Sequence, residues 1–292
     1  MKLTTGDKIF HTANYVILSL AAISCVLPFV HVIALSLSSG PAADAGRVGL
    51  WPIDFTLSAF EYTFQRQEFL ITLWNTVQRL VLGLIIQITI ITLTAYPLSK
   101  SNERIPGRTI YAWFFVITML VHGGLIPTYL VVIKTGLRNS IWALILPIAT
   151  NAFHITILLN FFRQIPSDLE DSAFMDGAGP WRTLVHIYVP LSKAALATLI
   201  IFNAVFHWNE WLMGLLYMDS VDKYPLQTYL RNVIVQPDFD LMDTDQLELM
   251  LNLSRRTFNA AQILVATIPI ILVYPFLQRH FVKGMYLGSL KG

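Results

Sequence analysis

Asn203, His207 and Glu210 stand at i, i+4 and i+7 of an otherwise apolar run, so a helix there carries an amide, an imidazole and a carboxylate on one face, flanked by Trp208 and Trp211. Such a set either touches a polar solute or hydrogen-bonds a neighbouring helix. Further polar side chains interrupt other apolar runs: Asn75, Gln78, Arg79 and Gln87 in one, and Asn151, His154 and Asn160 in another, with Asn151 and His154 three apart. Asn75, Asn151, His154, Asn203, His207 and Glu210 are the candidates for a solute path. No His, Cys or carboxylate cluster has zinc-ligand spacing, and Cys25 is the one cysteine, so neither a metal site nor a disulfide framework is indicated. No Gly-x-x-x-x-Gly-Lys-Ser/Thr phosphate loop, Gly-x-Ser-x-Gly elbow or His-Glu-x-x-His run occurs. Covalent catalysis and ATP binding in the usual cradle are therefore not expected of this chain.

The elements that must position these groups follow from composition. With 292 residues, 55% of them apolar and 13% charged, the chain lies outside the range of soluble domains. A membrane-spanning helix needs ~20 mostly apolar residues to cross a hydrocarbon core of ~30 Å. Six stretches qualify, at about 15–36, 71–98, 110–130, 141–162, 191–216 and 258–276. The first is too long for the apolar core of a signal peptide, so it is expected to remain as a span. The expectation is an all-α membrane protein of one domain, with six transmembrane helices. A net charge of +2, scattered along the chain, gives no basis for nucleic-acid binding.

Orientation follows from Lys and Arg near the span ends. With the N-terminus inside, the cytoplasmic segments hold eleven: Lys2, Lys8, Lys100, Arg104, Arg108, Arg163, Arg182, Lys193, Arg279, Lys283 and Lys291. The outer segments hold eight over a greater length. Both termini are then cytoplasmic, as is the polar stretch between the fourth and fifth spans. The two long outer segments, 37–70 and 217–257, are acidic and aromatic. The second clusters Asp238, Asp240, Asp243, Asp245 and Glu248, which suits either a docking surface or a solvated loop.

The polar stretch 166–190 has its own local logic. Ser167 and Glu170 have the spacing of a capping box, which predicts a short helix from Asp168. Gly177 ends it in a left-handed conformation, and Gly179-Pro180 starts another helix, with proline where no N–H is needed. This pattern resembles the EAA loop of ABC importer permeases, Glu-Ala-Ala, three residues, Gly, nine residues, Ile, one residue, Leu-Pro. Here Asp171-Ser172-Ala173, Gly177, Ile187 and Val189-Pro190 keep the spacing, with Asp171, Ser172 and Val189 as conservative departures. The resemblance implies a coupling helix seated in a cleft of a cytoplasmic ATPase, with Leu169, Glu170, Asp171, Ser172, Ala173, Phe174, Asp176, Gly177 and Pro180 at the coupling site.

The C-terminal segment 277–292, with Gln278, Lys283 and Gly284, resembles the tail by which maltose-type permeases reach their ATPase pair. Trp208-Asn209-Glu210-Trp211 resembles a recurrent feature of sugar-uptake permeases. Over nearly its whole length the chain resembles the MalG-like subunits of carbohydrate-uptake ABC importers, closest to those for larger or modified saccharides such as alginate. That resemblance implies the cytoplasmic (inner) membrane of a bacterium and a heterodimer with a second permease subunit. It also implies two ATP-binding subunits holding ATP and Mg, no cofactor on this chain, and an extracytoplasmic solute-binding protein. An ABC permease for peptides or amino acids is the nearer alternative. A secondary transporter is the other, and would need buried mid-bilayer carboxylates where only Glu210, near the outer edge, presents itself.

Overall fold

Thr4 and Asp7 close a reciprocal cap, the Thr4 hydroxyl accepting from the Asp7 N–H and the Asp7 carboxylate from the Thr4 N–H at 2.9 Å, which starts helix α1 (Thr5–Ser36). In the computed structural model, residues 4–235 and 254–289 are described, with backbone alone at residues 5, 235 and 273–289. All regular structure among them is helical. From Ile9 to Phe29 the large apolar side chains of α1 are exposed on every side. An apolar surface of that length is stable only against lipid or another apolar chain.

Helices α2 (Gly40–Asp44), α3 (Ser58–Gln65) and α4 (Gln67–Ser99) follow. After them come α5 (Arg108–Leu120), α6 (Leu125–Lys134), two 3-10 turns at Ile141–Leu144 and Leu146–Ile148, and α7 (Ala152–Arg163). Next are α8 (Ser167–Met175), α9 (Pro180–Leu191, with a π turn at Leu184–Tyr188), α10 (Lys193–Asn209), α11 (Leu212–Tyr217), α12 (Leu226–Val235) and α13 (Arg255–Ser289). The π turn ends two residues before Pro190, whose ring and missing N–H disturb the ladder of the preceding turn.

Two compact units form, one from Met1–Leu70 and Leu230–Pro269, the other from Ile71–Tyr229 and Ile270–Gly292. In the first, Ala34, Ala42, Ala43 and Val48 pack together, and Tyr62 stands edge-on to Phe258 at 5.1 Å with the Arg66 guanidinium over both rings. In the second, α4 presents a buried stripe, Thr72, Thr76, Arg79, Gly83, Gln87, Ile91 and Ala95, at three- and four-residue spacing. Its C-terminal half joins Ile155, Leu158 and Phe162 of α7 and Leu196 and Leu199 of α10 in the main apolar core. Gly83 lets α10 approach α4 closely: a Cβ built there would collide with the His207 ring.

The described residues include two continuous helices long and apolar enough to span a membrane, Gly6–Ser36 and Gln67–Ser99. Three of the six expected spans are bent. The third breaks by 116° between α5 and α6, at Gly123-Gly124, where Gly124 adopts φ +83. The fourth bends by 52° between its 3-10 turns and α7, at Pro147 and the Asn151 cap. The fifth is one helix only over Lys193–Asn209, with an 81° bend at Ser192 before it and a break at Glu210 after it. Apolar run length, which identified these spans, is blind to such breaks. The expected acidic cluster 238–248 lies outside the described residues, as do the side chains of Gln278 and Lys283; the backbone there, Gly284 included, continues α13 beyond the expected end of the span at 276.

Candidate functional site

Helix α8 is anchored by the one acidic side chain it turns inward. Glu170 is 4% exposed. Its Oε1 lies 2.8 Å from Lys100 Nζ, and its Oε2 lies 3.0 Å from Arg104 Nη1. The Tyr188 hydroxyl donates to Oε2 at 3.0 Å and the Tyr96 hydroxyl to Oε1 at 3.5 Å. The Lys100 ammonium also lies 4.0 Å and 3.8 Å from the ring centroids of Tyr96 and Tyr188. Those two rings meet edge-on at 5.0 Å, and Phe162 closes against Tyr188 at 5.4 Å. Burial draws the Lys100 ammonium below the ordinary lysine range, an effect that Glu170 opposes. One carboxylate thus ties α8 to the end of α4 and, through Tyr188, to the π turn of α9.

This arrangement corrects the capping box expected of Ser167 and Glu170. Helix α8 starts at Ser167 after Pro166 with no side-chain cap, because the Glu170 carboxylate is drawn to two cations and two hydroxyls instead of the single free amide a cap would satisfy. Two cations and two hydroxyls gathered on one buried carboxylate outweigh a single backbone N–H, which decides the competition. Asp171, beside it, is exposed and pairs with Arg104.

The outer face of the loop is apolar. Leu169, Phe174 and Trp181 are exposed, and Met175 is 89% exposed. Ser172, Asp176 and Pro180 are also exposed, while Ala173 is half-buried. At the helix end the Gly177 N–H donates to the Phe174 carbonyl at 3.0 Å and the Ala178 N–H to the Ala173 carbonyl at 2.8 Å. Gly177 holds φ +79, and a Cβ there would meet no atom within 4 Å. Its constraint within this chain is conformational rather than steric. Pro180 occupies the first turn of α9 after Gly179.

The polar groups of the spans fall into two sets. Glu210 does not continue the face shared by Asn203 and His207: its backbone turns extended, and its carboxylate accepts from the Met213 N–H at 2.7 Å while pairing with Arg79 at 2.9 Å. The buried His207 ring is hydrogen-bonded to Gln87 at 3.1 Å, and Gln87 donates to the Ile148 carbonyl at 2.7 Å. Asn75 donates to the carbonyls of Asp222 and Tyr224 and lines a cleft of 190 Å³ with Gln78 and Asn139. Asn151, His154 and Asn203 come together instead, lining a cavity of 690 Å³ with Gln87 and a set of phenylalanines. Helix position alone indicated Asn151 and His154 as a pair. It gave no sign of Lys100, Arg104, Tyr96 and Tyr188, which reach Glu170 across as many as 74 residues.

Residues 68–286 match the family described as "Binding-protein-dependent transport system inner membrane component". The chain is 40% identical over 286 residues to the polygalacturonan/rhamnogalacturonan transport system permease protein YtcP of Bacillus subtilis (strain 168), covering 98% of this chain and 99% of that one. It is 25% identical over the full length of both chains to the lactose transport system permease protein LacG of Rhizobium radiobacter. Its structure superposes with a TM-score of 0.91, at 32% identity and over 96% of this chain and 99% of the other, on a subunit of a bacterial ABC transporter involved in the import of the acidic polysaccharide alginate.

Proposed function

The chain belongs to the binding-protein-dependent transport system inner membrane components, and from that premise we propose that it is one permease subunit of an ATP-driven importer that brings an oligosaccharide into a bacterial cell. The observation that carries this reading is α8. It is a short helix with an exposed apolar face at Leu169, Phe174 and Met175, held from behind by the buried Glu170 node. An exposed apolar face on a rigid, internally braced helix is the geometry of a docking element. Its place between the fourth and fifth spans, and the spacing of its motif, match the coupling helix that sits in the cleft of an ATPase subunit.

On this reading α1, α4, the bent pairs α5/α6, 3-10/α7 and α9/α10, and α13 make six crossings, with both termini cytoplasmic. A second permease subunit completes the pathway, two partner chains hold ATP and Mg, and an extracytoplasmic binding protein delivers the solute. This chain catalyses no covalent step. ATP binding closes the ATPase pair and moves α8, and the node passes that motion to α4 and α9, so that the membrane cavity changes the side on which it opens. A saccharide, rather than a peptide, is supported by the polygalacturonan/rhamnogalacturonan and lactose systems of its relatives and by an aromatic cavity carrying amide and imidazole groups.

The test is reconstitution of this chain with its permease partner and binding protein in proteoliposomes, with and without the ATPase subunits, offering trigalacturonate, lactose and a tripeptide. Saccharide uptake that requires both ATPase and ATP is expected. Uptake without the ATPase, or of the tripeptide alone, would contradict the reading.

A further inference from the structure

We propose that the loop after α1 is a lipid anchor, which folds back along the helix and sets Leu50 and Trp51 into the headgroup and upper acyl region of the bilayer. The helix itself fixes the depth. The His31 Nδ1–H donates to the Gly49 carbonyl at 2.8 Å, so the loop returns to a level well inside the end of α1 at Ser36. Five residues at 1.5 Å each make that distance about 7.5 Å. Side chains lean toward the N-terminus of their helix, which carries the contact deeper still. The apolar run of α1 continues past His31 through Ile33 and Leu35, so the membrane interior reaches this level. Apolar groups of interfacial elements enter the headgroup and acyl boundary by roughly 5–10 Å, the same depth.

The loop is built to hold this position. At its neck the Ile53 N–H donates to the Ser38 hydroxyl at 3.0 Å, the Ser39 N–H to the Ile53 carbonyl at 3.1 Å, and the Thr56 N–H to the Leu37 carbonyl at 3.0 Å. Gly49 to Ile53 therefore runs from the level of His31 to the end of the helix, with Leu50 and Trp51 beside its last turns. Asp54, at φ +51, turns the chain and accepts from the Ser39 hydroxyl at 3.3 Å. Val48 and Ile53 face inward against Ala34, Ala42 and Ala43. The remaining apolar side chains face outward: Trp51 is 82% exposed, and Leu50 and Phe55 are exposed beside it.

Depth and chemistry together name the occupant. Phe29 and Ile33, which flank His31 on α1, are exposed too, so the loop extends a surface that already meets lipid. An indole has an apolar body and an N–H tip, which suits the boundary between acyl chains and headgroups. Arg47 is exposed and forms no ion pair among the described residues, so its planar fork is free for a lipid phosphate. A water-soluble partner docking from above would not reach the level of His31. On the orientation proposed above, this anchor lies on the extracytoplasmic side.

The experiment uses the full transporter in proteoliposomes. In a Cys25→Ser background, Trp51→Cys and Phe55→Cys are each labelled with an environment-sensitive dye. Quenching is read with phosphatidylcholine carrying a nitroxide on the upper acyl chain, and with aqueous iodide. The Trp51 label should emit to the blue and be quenched by the lipid nitroxide, with iodide quenching roughly fivefold below that of the free dye. The Phe55 label, beside the end of the helix, should be the more open to iodide. Loaded binding protein should change neither reading. Iodide quenching at Trp51 equal to that of the free dye overturns the anchor in favour of a solvated loop. Protection by binding protein overturns it in favour of a docking surface, and quenching by neither agent in favour of a protein neighbour. ATP-driven uptake, measured in the same vesicles, reports separately on the importer reading, which stands or falls without the anchor.

Discussion

Glu170→Gln removes the charge that Lys100 and Arg104 share, and its cost can be worked from the surroundings. The Lys100 side chain is 8% exposed and would keep a neutral amide oxygen in place of its counter-charge, with the two tyrosine faces 4.0 Å and 3.8 Å away. Breaking a buried ion pair costs about 3–5 kcal/mol because the remaining charge stays desolvated, and the ring faces return about 0.5–2 kcal/mol of that. The Arg104 pair adds little, since that side chain is 41% exposed. A net loss of roughly 1–4.5 kcal/mol is expected. Replacing Lys100 by Met as well should recover most of it, because an apolar side chain needs no counter-charge. The assay is equilibrium unfolding in mixed micelles over the two single variants and the double variant, read beside ATP hydrolysis stimulated by loaded binding protein. In Glu170→Gln, stimulation should fall more steeply than membrane abundance, since α8 loses its brace while the spans stay packed. A loss below about 1 kcal/mol, or no recovery in the double variant, would refute the assignment of Glu170 as the anchor of α8.

Gly177→Val should cost ~1 kcal/mol or more through its positive φ alone, and Gly177→Asn, which tolerates that conformation, should retain more ATP-driven uptake. Equal loss in both would show that close approach of the ATPase, rather than backbone strain, sets the constraint, since nothing in this chain lies within 4 Å of a Cβ there. Arg79→Met should cost about 3–5 kcal/mol by stranding Glu210, with recovery in Arg79→Met/Glu210→Gln, measured by the same unfolding cycle. Because the Lys100 ammonium is drawn below the ordinary value, the unfolded chain holds the more protons between that lowered value and about 10.4. The stability of the wild type relative to Lys100→Met should therefore rise with pH in that window, and a flat or falling difference would contradict the burial of the charge.

The legibility of the chain followed the range of each signal. Run length located the apolar segments, and the Gly177 and Gly179-Pro180 signals, which act within one turn, placed the end of α8 and the start of α9 where the backbone puts them. The bends at Gly124 and Glu210 escaped because apolar composition does not register a break in the hydrogen-bond ladder. Glu170 shows the deeper difficulty. Its capping partner stands three residues away in sequence, while its actual partners lie on three other segments, and local spacing cannot weigh a cap against a buried ion pair. Asn203, His207 and Glu210 share a helical face only if the helix continues, and the Glu210 carboxylate helps end it by accepting from Met213. Asn151 and His154 were legible as neighbours on α7, but the aromatic wall that gives them a cavity came from helices packed beside them.

The central claim is that α8 is where ATP hydrolysis on another chain reaches this one. Met175, exposed on the outer face of α8, offers the direct test. In a Cys25→Ser background, Met175→Cys should form a disulfide with a cysteine placed in the cleft of the ATPase subunit, and the crosslink should abolish uptake reversibly under reductant. Full transport by the crosslinked complex, or failure of Met175→Cys to crosslink to any cleft position in an assembled, active transporter, would contradict it.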